Sequence, residues 1–120
     1  MASILLADDD ASVRELVRRA LAQDGHSVTV TEDGAEALQH LSTNAASIDV
    51  IVSDVNMPQV DGVTLAQKAV ALKPGIAVVL MSGFTDQLDR ASTIKAARLA
   101  VISKPFTLDQ IKSKVRGVIG

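Results

Sequence analysis

The feature that most constrains the fold is a fivefold alternation of short apolar runs with stretches whose apolar residues recur at helical spacing. The five runs that we predict as strands are residues 3–7, 27–31, 48–54, 76–82 and 99–103. The predicted helices are one that ends at Gly25 and those at 34–42, 62–72, within 86–98, and 107–118. Such alternation is typical of an α/β protein in which helices cover both faces of a parallel sheet.

The pattern within the runs indicates the order of the strands. The second run, "SVTVT", alternates polar and apolar residues, which indicates a strand with one face in water, whereas the first, third and fourth runs look buried on both faces. Right-handed crossovers leave few topologies. We therefore predict a flavodoxin-like, doubly wound, five-stranded sheet of order 2-1-3-4-5 with five helices. In this order strands one and three are neighbours. Ligands of such sheets bind outside the carboxyl ends of these two strands, at the point where the strand order reverses.

Acidic residues follow the two strands that this topology places side by side. Asp8 and Asp9 come after strand one, and Asp54 ends strand three. The fourth and fifth strands bring Ser82 and Lys104 to the same edge. Clustered carboxylates repel one another, and a single lysine is too few to offset three of them. A hard divalent ion is the natural complement, with Mg²⁺ expected and Mn²⁺ as an alternative.

These residue types suit phosphoryl transfer, in which an aspartate can be the nucleophile. We predict that Asp54 accepts the phosphoryl group and that Asp9, with Asp8, holds the metal. The backbone carbonyl of Asn56 would complete the protein ligands. Lys104 and the Ser82 hydroxyl would meet the phosphoryl oxygens, so that catalysis consists of positioning and charge neutralisation.

Four segments, "LLADDD", "VSDVNMPQVDG", "LMSG" and "SKPF", resemble those of the receiver domain of two-component response regulators, in the same order. The resemblance covers all 120 residues and implies a CheY-like fold. It implies Asp54 as phosphoacceptor, Asp8 and Asp9 as the acidic metal pair, Ser82 as the switch hydroxyl and Lys104 as the phosphate-binding lysine. It also implies that the peptide bond between Lys104 and Pro105 can be cis.

The same resemblance implies a signalling protein that catalyses its own phosphorylation and dephosphorylation, rather than an enzyme with a separate substrate. The donor would be a sensor histidine kinase or a histidine phosphotransfer protein. Because no residues follow Gly120, we expect one stand-alone receiver domain over 1–120 without an output domain. With "ILLADDD", "SGF" and "SKPF" and without the usual switch aromatic, the chain resembles the CpdR-type lone receivers of alphaproteobacteria. This resemblance implies the Clp protease as a downstream partner of the unphosphorylated form.

The chain departs from the family where receivers commonly carry an aromatic switch residue, because that position is Val101. A β-branched side chain has few rotamers to offer, so we expect switching to use the residues after Ser82 and the weakly apolar helix within 86–98. Gly83 would allow close approach of the backbone to the ligand. Phe84 is a candidate shield of the phosphoryl group, a core residue or a partner anchor.

Composition restricts the other functions. The net charge is −2 and there is no Trp or Tyr, so we expect neither nucleic-acid nor membrane binding. The chain has no Cys and no signal-peptide pattern, and we expect a cytoplasmic protein. An aspartyl phosphatase, an FMN carrier and a silent pseudo-receiver are the alternatives. The first lacks an acid at Asn56, and the second lacks a phosphate-binding first loop and aromatic walls.

Overall fold

The computed structural model describes residues 2–83 and 94–119. The strands are β1 (Ser3–Ala7), β2 (Ser27–Thr31), β3 (Val50–Asp54), β4 (Ala77–Ser82) and β5 (Arg98–Ser103). The described α-helices are α1 (Ala11–Gln23), α2 (Gly34–Asn44), α3 (Gly62–Leu72) and α4 (Leu108–Ile119), and a short 3₁₀ helix spans Ala45–Ser47.

The five strands form one parallel sheet of order β2-β1-β3-β4-β5, as predicted. Successive side chains of a strand face opposite sides, and this alternation divides the core into two layers. Leu6 and Val52 face the layer of α1 and α4, whereas Leu5 and Ile51 face the layer of α2 and α3. The three central strands are therefore apolar on both faces, which explains why their sequences lack polar alternation.

Four of the predicted helices are found close to their expected limits. The helix predicted within 86–98 cannot be followed over 84–93, which lies outside the described residues. Residues 94–97 are described and are not helical, and β5 begins at Arg98. The side chain of Ile94 is buried and belongs to the same apolar cluster as Val78 and Leu80.

The ends of the helices explain their limits. Gly25 has a φ of 85° directly after the first helix, a conformation that favours glycine and stops the helix. Thr107 and Gln110 form a capping box at the start of the last helix. The Thr107 N–H donates to Gln110 Oε1 at 2.8 Å, and the Gln110 N–H donates to Thr107 Oγ1 at 3.1 Å.

Helix α2 begins in direct contact with the loop that follows β3. A Cβ atom at Gly34 would overlap the main-chain carbonyl of Val60, so only glycine allows this approach. The adjacent Gln59 has a φ of 70°, an uncommon value for a residue with a side chain. The amino end of α2 thus fixes the path of the chain shortly after Asp54.

We predict that Gly34→Ala lowers the free energy of unfolding by about 1–3 kcal/mol, because overpacking against backbone forces the two segments apart. Urea denaturation followed by circular dichroism measures this change. Gly117→Ala is the matched control, since a Cβ at this position of α4 meets no atom within 4 Å. The control should gain about 0.5–1 kcal/mol from helix propensity. A stabilising effect of both variants would contradict the proposed contact.

Candidate functional site

The carboxyl ends of β1 and β3 bring three aspartates together. Asp8 follows β1, Asp9 comes next, and Asp54 is the last residue of β3. Each offers one carboxylate oxygen, and these oxygens all lie within 4.8 Å of one another. Asp8 is fully buried and Asp54 is 6% exposed, whereas Asp9 is exposed. The structure therefore brings together residues that are up to 46 positions apart in the sequence (54 − 8), as the predicted strand order requires.

The side chain of Lys104 also contacts this cluster. Its Nζ lies 3.1 Å from Asp8 Oδ2 and 3.2 Å from Asp54 Oδ2, so that one ammonium bridges the two buried carboxylates. The lysine follows β5, and its backbone N–H donates to the Ser82 carbonyl at 2.7 Å. The peptide bond between Lys104 and Pro105 is cis, as the sequence resemblance implied.

A hydrogen-bonded turn holds Asp8 and starts the first helix. The Asp8 Oδ1 atom accepts a hydrogen bond of 2.8 Å from the Asp10 N–H. Asp10 in turn caps α1, because its Oδ1 accepts from the N–H groups of Ser12 at 2.8 Å and Val13 at 3.3 Å. The spacing of Ser12 and Glu15 also fits a capping box. The structure does not form it, since Asp10 already occupies the capping position and Glu15 bonds to Arg18.

The electrostatics of the site favour the binding of a positive charge. Burial raises the pKa of Asp54 to about 6, and the Asp8 carboxylate adds to this rise while Lys104 opposes it. Burial also raises the pKa of Asp8, against the hydrogen bonds from Asp10 and Lys104. Burial disfavours the charged lysine, but its bonds to Asp8 and Asp54 outweigh this effect and raise the pKa of Lys104. The ammonium therefore stays charged, and negative charge remains in excess.

The residues at this rim fit a magnesium ion. The available ligands are carboxylate oxygens, the type that Mg²⁺ prefers, and Mg²⁺ uses one or two carboxylates while it keeps several waters. A divalent cation would also relieve the repulsion that raises the pKa of Asp54. Asp8, Asp9 and Asp54 are the side chains that would hold it.

The remaining predicted residues lie around this cluster. Ser82 is buried at the end of β4, and Asn56 is exposed in the loop two residues after Asp54. Gly83 follows β4 directly, whereas Phe84 lies outside the described residues. Val101 is half-buried on β5, where it packs against the apolar cluster that contains Leu80 and Ile94.

Gly62 is the first residue of the helix predicted at 62–72, and the structure gives it a further role. A Cβ atom at Gly62 would overlap the main-chain carbonyl of Asp54, and the Gly62 N–H donates to the Val55 carbonyl at 2.9 Å. The start of α3 therefore packs directly against the backbone of Asp54. The sequence offered only the Asp61-Gly62 pair as a signal, and this pair equally well indicates a simple turn.

The comparisons with known proteins agree with this geometry. The sequence model of the response regulator receiver domain matches residues 4–116. This chain therefore belongs to the response regulator receiver domain family. Receivers of this family are phosphoacceptor domains of two-component systems, accept phosphoryl groups from histidine kinases and bind Mg²⁺ through acidic residues.

Two curated relatives illustrate how receivers occur in longer proteins. The response regulator MprA of Mycobacterium sp. (strain KMS) is 30% identical over 116 residues, which are 97% of this chain and 50% of that protein. The sensor kinase CckA of Brucella abortus (strain 2308) is 31% identical over 118 residues, which are 98% of this chain and 12% of the kinase. The chain thus spans about half the length of MprA.

Solved structures share the whole fold. A response regulator receiver protein from Sinorhizobium medicae WSM419 is 32% identical with a TM-score of 0.87, over 98% of this chain and 94% of that one. The chemotaxis response regulator CheY4 of Vibrio cholerae is 25% identical with a TM-score of 0.85, over 98% of both chains. Within the residues that the structure describes, no helix is long and apolar enough to cross a membrane.

We predict that Asp54→Asn stabilises the metal-free protein at neutral pH. The folded pKa of about 6 exceeds the ordinary 3.8, so the folded state binds this proton more tightly than the unfolded state. The contribution of this proton to the free energy of unfolding is complete below pH 4 and is lost as the pH rises through 6. At pH 7 the variant should be more stable by about 2–3 kcal/mol, because a tenfold difference in proton affinity between the two states corresponds to about 1.4 kcal/mol.

Urea denaturation in the presence of a chelator, at several pH values between 4 and 7, measures this difference. The gain should vanish towards pH 4, and Mg²⁺ should reduce it by stabilising the parent protein. Asp109→Asn, at an exposed position in the first turn of α4, is the control and should bring no gain. A pH-independent difference between Asp54→Asn and the parent would contradict the electrostatic account.

Proposed function

We propose that this receiver takes a phosphoryl group from a phosphohistidine onto Asp54 and thereby changes its affinity for a partner protein. The observation that carries the proposal is the position of Asp54, which ends a central strand at the rim of the sheet. Its carboxylate lies in the cluster with Asp8 and Asp9 and 3.2 Å from the Lys104 ammonium. Asp54 would supply the nucleophile, the three carboxylates the metal ligands and Lys104 the cation for the phosphoryl oxygens, and their closeness supports the proposal.

In the proposed reaction a carboxylate oxygen of Asp54 attacks the phosphorus atom of the donor. A P–O bond forms as the P–N bond of the phosphohistidine breaks, and the histidine nitrogen keeps that electron pair and takes a proton from solvent. With a pKa of about 6, Asp54 is mostly ionised at neutral pH and can act as the nucleophile. Mg²⁺ bound by these carboxylates would supply positive charge beside the transferred group.

Lys104 provides the fixed positive charge of the site. Before transfer it bridges Asp8 and Asp54. Once Asp54 carries the phosphoryl group, a phosphoryl oxygen would replace its carboxylate oxygen as the partner of the ammonium, while the contact with Asp8 is retained. The Ser82 hydroxyl is the second proposed contact of the phosphoryl oxygens, and the Asn56 carbonyl the third protein ligand of the metal. Both roles are supported by position, because Ser82 ends β4 and Asn56 lies in the loop two residues after the end of β3.

The proposed response involves region 83–98, because Gly83 follows the switch hydroxyl directly and Lys104 is bonded to Ser82 through its backbone. We propose that the cycle ends by hydrolysis that the receiver itself promotes. Its setting would be the cytoplasm, where histidine kinases present their phosphohistidine. On the CpdR-type resemblance, we further propose the Clp protease as the partner.

We predict that incubation with acetyl phosphate and Mg²⁺ gives a base-labile adduct of one phosphoryl group, because the acyl phosphate can replace the protein donor. Intact-protein mass spectrometry measures the adduct. Asp54→Asn should give none, whereas Asp109→Asn should react like the parent. Replacement of Mg²⁺ by a chelator should abolish the reaction. An adduct on the Asp54→Asn protein, or none on the parent, would refute the proposed acceptor.

We predict that binding to the partner depends on the state of position 54. Immobilised Clp protease components should retain the unphosphorylated parent and Asp54→Asn, and should retain less of the parent after acetyl phosphate treatment. Treated Asp54→Asn is the control for acetyl phosphate itself. Equal retention of the treated and untreated parent would remove the Clp assignment but would leave the phosphoacceptor proposal intact.

A further inference from the structure

Asp9 differs from the other two carboxylates of the cluster in how it is held. Asp8 accepts from the Asp10 N–H and contacts Lys104, and Asp54 contacts Lys104. Within residues 2–83 and 94–119, the Asp9 side chain makes no hydrogen bond or ion pair, and it is exposed. Two buried carboxylates close by repel it. Its place in the cluster must therefore be set by the backbone.

The backbone at this point is fixed by an arginine one turn into α1. The Arg14 Nη1–H donates a hydrogen bond of 2.9 Å to the main-chain carbonyl oxygen of Asp8. This oxygen belongs to the peptide group that joins Asp8 to Asp9. Because a peptide group is planar, a bond that fixes its oxygen also fixes the direction in which the chain continues to the Cα atom of Asp9.

The rest of the Arg14 side chain is well placed for this role. It is 18% exposed, and its backbone N–H donates to the Asp10 carbonyl at 3.0 Å, so the residue belongs to the first turn of the helix that Asp10 caps. Its second contact is weak, because Nη2 lies 3.9 Å from Glu32, whose side chain is 74% exposed. The hydrogen bond to the Asp8 carbonyl oxygen is therefore the stronger of these two contacts of the guanidinium group.

We propose that Arg14 is a positioning residue for the metal site. Its guanidinium group orients the Asp8–Asp9 peptide and so keeps the Asp9 carboxylate beside Asp8 and Asp54, against their repulsion. Arg14 itself binds neither the ion nor the phosphoryl group. This inference rests on the proposed function, because it assigns Arg14 to the same Mg²⁺ site.

Isothermal titration calorimetry with Mg²⁺ tests the proposal, since the chain has no Trp or Tyr to report binding by fluorescence. Arg14→Met keeps an aliphatic side chain but removes the donors. It should weaken Mg²⁺ binding about 10–100-fold, the usual effect of losing a residue that orients metal ligands. Arg14→Lys, which keeps a donor, should recover most of the affinity.

Arg19→Met is the matched control, because Arg19 lies on the same helix, is 61% exposed and contacts only Glu15 at 3.8 Å among the described residues. It should bind Mg²⁺ like the parent. Phosphorylation by acetyl phosphate provides a second readout. For Arg14→Met the Mg²⁺ concentration for half-maximal rate should rise about 10–100-fold while the maximal rate changes little, because the role concerns metal binding.

Parent-like Mg²⁺ affinity in Arg14→Met, or an equal loss in Arg14→Met and Arg19→Met, would overturn the positioning role. Should Arg14→Met not fold, Arg14→Gln takes its place with the same expectation, because its amide is too short to reach the Asp8 carbonyl. The parent protein distinguishes a failure of the proposed function from a failure of this inference. A parent without Mg²⁺ binding refutes the proposed function, whereas a parent that binds and an Arg14 variant that binds equally refute only this inference.

Discussion

The structure depends on one electrostatic constraint, which is that two buried carboxylates and an exposed one share a site with a single lysine. Their mutual repulsion and their burial oppose folding, and the pKa of about 6 at Asp54 is the visible sign of this cost. The apolar central strands compensate for it. Because β1 and β3 are packed on both faces, the ends that carry Asp8 and Asp54 cannot move apart without disturbing the core. The site is thus preorganised to receive positive charge.

Close backbone packing gives this rim a rigidity that side-chain bonds alone would not provide. The start of α2 lies against the loop that follows Asp54, at Gly34, and the start of α3 lies against the backbone of Asp54, at Gly62. Neither glycine position has room for a Cβ atom. The first helix holds the opposite side, where Asp10 caps it and supports Asp8. Three helix starts therefore lie near the segment from Asp54 to Val60 and the Asp8 turn. In a doubly wound sheet these starts follow the carboxyl ends of the strands, so the same topology that gathers the acidic residues also gathers the elements that fix them.

The sheet order could be predicted from the sequence, because it required only the limits of the strands and the few topologies that right-handed crossovers allow. The sequence was also sufficient to nominate Asp8, Asp9, Asp54 and Lys104 as neighbours, since each follows an apolar run. It did not indicate that Asp10, rather than Ser12, caps the first helix, because both residue types favour that position. The tight contacts of Gly34 and Gly62 could not be predicted from the sequence either. A glycine beside an aspartate looks the same in sequence whether it forms a turn or allows a close approach of two backbones.

The fold holds the two sides of the site with different firmness. We therefore expect a rearrangement after phosphorylation on one side rather than on the other. The metal side belongs to β1 and β3, in the centre of the sheet, where β3 is buried along its whole length. The side with Ser82 and Lys104 belongs to β4 and to the edge strand β5, on which Ile102 alone is buried. Val101 on that strand has no aromatic ring to move. A new charge on Asp54 would draw Lys104 and the Ser82 hydroxyl, and these two are joined through the Lys104 N–H and the Ser82 carbonyl at 2.7 Å. Any rearrangement is therefore easier on the edge strand β5, whose side chains are less buried, than on the central strands.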